Sequence, residues 1–286
     1  MLAVFTHNLD PVLFRLGPLE VRYYGVVFPL VLLGGYFLWR WQMHRGGYAY
    51  RTADRFLLWG VIATIAGARL GHCFFYNASH YLAHPVEVLY FWRGGLASHG
   101  ATVGLVLAVA GFALYCRRPV LEFIDRFTFS AALGALGVRL GNFLNSEIVG
   151  RPTDVWWAVK FHRFEANPVP RHPSQLYEFA MGLTVLLILL AADRLAGREK
   201  RPLGLLTGLF FTLYFAGRFG VEFFKKFHNE QLEQVSTLTT GQYLSIIPFA
   251  AGAAVLVWCF VRRRPTDSLR PSPDDPLATE RPDEAG

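Results

Sequence analysis

The chain has little of what soluble catalytic centres are built from. Its 286 residues include three cysteines, Cys73, Cys116 and Cys259, an odd and scattered set that forms neither a disulfide framework nor a CxxC metal site. His80 and His84 have helical spacing but lack the glutamate of the metalloprotease pattern, so no metal site is expected there. No nucleotide-binding motif is present, and no cofactor is expected. Only 17% of residues are charged, and no basic run with interleaved aromatics lies in a polar segment, which argues against a nucleic-acid partner. The first apolar stretch has no basic lead and no small-residue cleavage site, so it should be retained as a helix. Internal repeats are also lacking, which weakens the case for inverted-repeat transporter folds.

What the chain does have is apolar length. Hydrophobic residues make up 53% of it, and seven stretches approach the roughly 20 helical residues needed to cross a bilayer core. They run over 21–39, 56–76, 97–115, 123–138, 176–192, 203–224 and 243–261. Such runs are too continuous for barrel strands, and helices are then the only spanning structure that satisfies its own backbone in lipid. The expected fold class is all-α, a polytopic membrane protein of seven transmembrane helices.

Basic residues orient it. Arg45, Arg51 and Arg55, then Arg117 and Arg118, then Arg194, Arg198, Lys200 and Arg201, and finally Arg262 to Arg264 fall in alternate connections, which marks that side as cytoplasmic. The N-terminus is then outside and the C-terminus cytoplasmic. The formal net charge of +7 reads as anchoring to anionic lipid. Arg151, Lys160, Arg163, Arg171, Lys225 and Lys226 lie in outer connections, an excess that an anionic outer ligand would explain.

The longest outer connection, about 145–173, holds Trp156, Trp157, Phe161 and Phe164 among prolines. Aromatics at that density suit the headgroup level, and a small outward-facing cap between spans four and five is expected. A membrane-embedded domain over 1–264 is then followed by a polar cytoplasmic tail over 265–286, rich in Pro, Asp and Glu, which has little to bury and is expected to be disordered.

A charge within the bilayer core costs on the order of 2.5–3.5 kcal/mol and needs a partner or a function. Arg69, Asp125, Arg139, Arg218 and Glu222 lie in or at the ends of the spans. Tyr214, Arg218 and Glu222 share one helix face, where an internal Arg218–Glu222 salt bridge competes with a functional reading. Arg139, Asn142, Asn145 and Glu147 cluster in GVRLGNFLNSEIVG, either as capping groups or as a site for an anion and glycerol hydroxyls. Gly137 and Gly141 would let another helix approach them. His99, in GGLASHGATVG, is either a structural histidine or a general base. In RHPSQLYE, Pro173 and Ser174 can start a helix with Glu178 in its first turn, a structural reading that leaves His172 open.

Taken together these strings resemble the prolipoprotein diacylglyceryl transferases over about residues 10–264. The pattern R-x-G-N-F-x-N-x-E falls on Arg139, Gly141, Asn142, Phe143, Asn145 and Glu147, followed by Gly150. It is joined by YYG at 23–25, ARLGHCFFYN at 68–77, GGLASHG, RHPSQLYE and Y-x-x-x-R-x-x-x-E-F-F over 214–224. Two small-residue departures are Ala101 and Ser146, each where the family often has Gly.

The resemblance implies an inner-membrane enzyme that moves the diacylglyceryl group of phosphatidylglycerol to the lipobox cysteine of a prolipoprotein signal peptide, releasing glycerol 1-phosphate. It implies catalytic roles for His99, Arg139, Arg218 and Tyr24. Substrate binding would fall to Arg139, Asn142, Asn145, Glu147, Gly150, Tyr214, Glu222 and His172. The competing readings are a catalytically silent lipid-binding relative and a membrane transporter.

Overall fold

The computed structural model describes residues 4–17, 19–226, 238–272 and 275–278. It is mainly helical. Helices α1 (Tyr23–Arg45), α2 (Tyr50–Tyr76), α4 (Ser98–Tyr115), α5 (Val120–Leu144), α6 (Ser174–Leu195), α7 (Leu205–Val221) and α8 (Thr240–Arg262) each cover one expected apolar stretch, and α3 (Ala78–Ala83) is a short addition. Five of them, α1, α2, α5, α6 and α8, are long and apolar enough to cross a membrane. The most apolar window, on α8, is only 17% buried. Side chains such as Ile247, Leu195 and Phe75 point away from the protein, as expected where lipid tails are as apolar as a core.

The chain divides into two compact units, 1–38 with 128–263 and 39–127 with 264–286, where the sequence reading has a single membrane domain. In the first unit the core forms around Phe129, Ala132, Val185, Leu189, Leu206 and Phe210. Val31 packs on Gly137 and the Tyr24 ring on Gly141, so closely that any side chain at either glycine would collide. The close approach expected of those two glycines is therefore made by α1.

Two small sheets in this unit qualify the all-α expectation. Strands β1 (Phe5–His7), β4 (Val159–Phe161) and β5 (Pro170–Arg171) form one, in the order β1-β4-β5 with β1 parallel to β4, and β2 (Val12–Leu16) and β3 (Leu19–Arg22) pair as a hairpin. The 145–173 connection is thus tied to the N-terminus through backbone hydrogen bonds.

In the second unit α2 and α4 meet backbone to backbone at Gly67, Gly71, Gly100 and Gly104, where a Cβ on Gly100 would strike the Gly67 carbonyl. Trp39, Phe56, Phe112 and Phe123 fill the core beside them. Arg69 is buried and donates to the carbonyls of Glu87, Val88, Gly94 and Gly95 at 2.7–3.2 Å, so its charge is met by loop backbone.

Over its described part the tail has defined contacts. Thr266 and Leu269 are buried, Leu277 packs on the core of the second unit, and Arg118 pairs with Asp275. The Ala49 amide donates to the Leu277 carbonyl at 2.9 Å. Scattered apolar residues in a Pro- and Asp-rich stretch find partners that composition does not reveal. Residues 279–286 lie outside the described part.

Candidate active site

The site in the first unit is organised around Glu178, the residue read from sequence as structural. It lies early in α6 and is 1% exposed. Its Oε2 is 3.1 Å from Arg139 Nε, while its Oε1 is 3.2 Å from Arg218 Nη1 and 3.3 Å from Lys225 Nζ. Helix α5, helix α7 and the bridge residue Lys225 just beyond α7 therefore bring three cations to one buried carboxylate, which offsets the desolvation each charge would otherwise suffer. From sequence Lys225 appears only as one of six basic residues of the outer connections, just beyond the EFF motif, and not as a site residue.

This geometry replaces the internal salt bridge considered for Arg218 and Glu222. Arg218 reaches across to α6, and Glu222 pairs with Lys225 at 3.4 Å. The Glu222 carboxylate also fills the space beside Gly241 in the first turn of α8, where helix amides favour negative charge.

Arg139, Asn142, Asn145 and Glu147 form one network. Arg139 Nη1 donates to Asn142 Oδ1 at 3.3 Å, and Asn142 and Asn145 donate to the two Glu147 carboxylate oxygens at 3.1 and 3.2 Å. Ser174 Oγ does not cap its own helix but donates to the Ile148 carbonyl at 2.9 Å, and Gln175 Nε2 donates to the Glu147 carbonyl at 2.6 Å. Among the described residues Asn145 Oδ1 and Gln175 Oε1 are buried without a partner, an arrangement suited to receiving hydroxyl donors.

The remaining expected residues divide. Tyr24 lies in the electrostatic field of Glu147 and Arg139 and stacks on Phe28. Gly150 sits where chain segments cross: its amide donates to the His172 carbonyl at 3.0 Å, and a Cβ there would meet both His172 and the Phe224 carbonyl. Tyr214, one turn before Arg218, is held by stacking on Phe210 with ring centroids 5.4 Å apart. His172 faces elsewhere, with Nδ1 3.0 Å from the Tyr177 hydroxyl and its ring against Phe224. Burial lowers its pKa below the usual histidine value. His99 belongs to the second unit, where it is exposed in the first turn of α4.

Among the described residues Arg139 and Arg218 use only part of their N–H sets on protein, and their side chains are 16–18% exposed. Paired guanidiniums with donors to spare, flanked by amides and set among apolar helices, have the chemistry to bind an anionic, phosphate-like group, and the class they suggest is a membrane protein that handles one.

Comparison with known sequences agrees with that class. The family model for prolipoprotein diacylglyceryl transferase matches residues 11–258, and the chain belongs to that family. A relative from Tolumonas auensis is 40% identical over 253 residues, covering 87% of this chain and 95% of its own. One from Nitrosomonas europaea is 40% identical over 263 residues, covering 88% and 91%. A third, from Chloroherpeton thalassium, is 39% identical over 251 residues, covering 87% and 92%. All three are named phosphatidylglycerol--prolipoprotein diacylglyceryl transferase.

Proposed function

We propose that the protein transfers the diacylglyceryl group of phosphatidylglycerol to the lipobox cysteine of bacterial lipoprotein precursors, the first step of their maturation. The observation that carries this reading is the pair Arg139 and Arg218, held by the two oxygens of one buried carboxylate with N–H groups left for a phosphate. Family membership supports the substrates.

In the reaction a new bond forms between the cysteine sulfur and the glyceryl carbon that bears the phosphate ester. The bond from that carbon to oxygen breaks, and its electron pair leaves on glycerol 1-phosphate. Arg139 and Arg218 take up the charge that grows on the departing phosphate oxygen, and donors fixed in advance at such a position are worth several kcal/mol in low dielectric. The amides of Asn142 and Asn145, with Glu147, receive the glycerol headgroup, and Tyr24 and Tyr214 line the lipid side. Glu222 acts by holding Lys225, and Gly150 and His172 act by shaping the backbone beside the cluster.

A free thiol has a pKa of about 8.5 and is only slightly ionised at neutral pH. His99 is assigned its proton on the strength of the resemblance, and near-normal turnover by His99→Gln would remove that role. The chain is placed in the inner membrane with seven spans, N-terminus outside and C-terminus cytoplasmic, on the pattern of basic connections. The 145–173 connection, with its exposed Trp156 and Trp157, forms an outward-facing cap.

The test is incubation of purified protein with phosphatidylglycerol and a lipobox peptide, with mass spectrometry of the peptide cysteine. A diacylglyceryl adduct that disappears in Arg139→Ala is the expected result. No adduct from folded protein would favour a silent lipid-binding relative or a transporter.

A further inference from the structure

Glu147 is carried on a turn with an unusual backbone. Ser146 has φ +56° and Ile148 φ +53°, the left-handed region that L side chains avoid and that disfavours β-branched residues most. Such conformations persist where the surroundings enforce them. Ile148 and Glu147 are enforced from α6, whose Ser174 and Gln175 take hold of their carbonyls.

Ser146 is held from a different direction. Its Oγ is 3.1 Å from Nδ1 of His7, and the residues are 4% and 5% exposed. His7 ends β1, opposite Phe161 of β4, and its carbonyl accepts from the His162 amide at 3.2 Å. The imidazole is wedged against Phe143 and Phe161, with ring centroids 4.6 and 5.6 Å away. Burial favours its neutral form, which keeps one ring nitrogen as an acceptor and the other as a donor.

We propose that His7 is a positioning residue for the transfer reaction. Its hydrogen bond to Ser146 keeps the left-handed turn in place, so that the Glu147 carboxylate stays on Asn142 and Asn145 and, through Asn142 Oδ1, sets the orientation of Arg139. The link runs from a strand near the N-terminus to the phosphate-binding guanidinium. The proposal rests on the transferase reading, but the tether itself can be tested apart from turnover.

The first pair of variants leaves His7 intact. Ser146→Ala removes the hydroxyl and keeps the backbone strain, whereas Ser146→Gly removes the strain, since glycine adopts positive φ freely. Ser146→Ala and His7→Phe are each expected to lower kcat about tenfold, the size of one left-handed residue's conformational preference, with KM for phosphatidylglycerol within about twofold. Ser146→Gly, alone or combined with His7→Phe, should return kcat to within about threefold of wild type.

Hydrogen exchange of the Glu147 amide, which donates to the Asn142 carbonyl at 2.9 Å, gives a second readout that does not require turnover. It should speed up at least tenfold in Ser146→Ala and recover in Ser146→Gly. Wild-type turnover in Ser146→Ala with unchanged exchange would overturn the proposal, as would a His7→Phe defect that Ser146→Gly does not relieve. Wild-type protein that forms no adduct would sink the transferase reading, while exchange would still decide the tether.

Discussion

Each unit buries a glutamate among arginines, and the two assemblies are built differently. In the second unit Glu122 Oε1 accepts from Arg126 through Nε and Nη2, both at 3.1 Å, and from the Tyr48 hydroxyl at 2.9 Å. Arg126 Nη1 donates to the Gln42 carbonyl at 3.0 Å, and both charged side chains are 0% exposed. Acid and base lie one turn apart, and both side chains are wholly buried in protein. In the first unit Glu178 meets three cations from separate segments, each through a single contact among the described residues, and the two arginine side chains stay partly exposed. Burial and charge are common to both assemblies. Uncommitted donors distinguish the one able to bind a ligand.

The largest effect should come from neutralising the two acids in turn. Removing one partner of a buried ion pair costs about 3–5 kcal/mol, so Glu178→Gln and Glu122→Gln should both lower the melting temperature in detergent. Only Glu178→Gln releases Arg139 and Arg218 from their common anchor, and turnover of its folded fraction should fall by about 10²–10³. Glu122→Gln should leave turnover per folded molecule within about threefold. Equal turnover losses would erase the distinction between the assemblies.

That distinction was only partly legible in the sequence. Long apolar runs dictate helices by length alone, and each expected stretch lies on one helix. The Arg139 to Glu147 cluster was legible because its members are close in the chain, on a helix end and the turn after it, and the same holds for the closeness implied by Gly137 and Gly141. Glu178 was read as structural because its partners lie 39, 40 and 47 positions away, beyond the reach of any local pattern. The β1–β4 pairing joins three-residue strands about 150 positions apart, and neither strand has enough length to show an alternation. Ser146 was visible as a departure where the family often has Gly, yet nothing local indicated that His7 supports it.

A second, smaller separation concerns Arg69, a buried arginine on α2 of the second unit. Its donors go to four loop carbonyls, and its guanidinium lies 5.1 Å from the Tyr81 ring centroid. Arg69→Ala leaves those carbonyls without their donor, and hydrogen bonds to a charged group contribute about 1.5–3 kcal/mol each before compensation by water. A net stability loss of about 2–4 kcal/mol is expected, with early protease cleavage within residues 84–95. Lys at this position should recover little, because a compact ammonium cannot span carbonyls that a planar fork reaches together. Turnover of the folded fraction should change less than in Arg218→Lys, where the same loss of fork geometry falls on the proposed phosphate contact. The reverse order would make Arg69 part of the chemistry.

The smallest effect is expected from His172, which the resemblance places near substrate and the structure places against Tyr177 and Phe224. Its folded-state pKa is lowered by burial, so between that value and the unfolded value of about 6.5 the unfolded chain binds more protons than the native one. Stability from this group is fully present above the unfolded pKa and is lost as pH falls through the window beneath it. His172→Gln should therefore flatten the fall in melting temperature below about pH 6.5 and leave the curve above it parallel to wild type. If His172 instead touches the lipid headgroup, the substitution should raise KM for phosphatidylglycerol at every pH, including the alkaline range where the imidazole is already neutral. Melting curves and KM across that range, measured on the same two proteins, separate a residue that braces the Gly150 crossing from one that binds substrate.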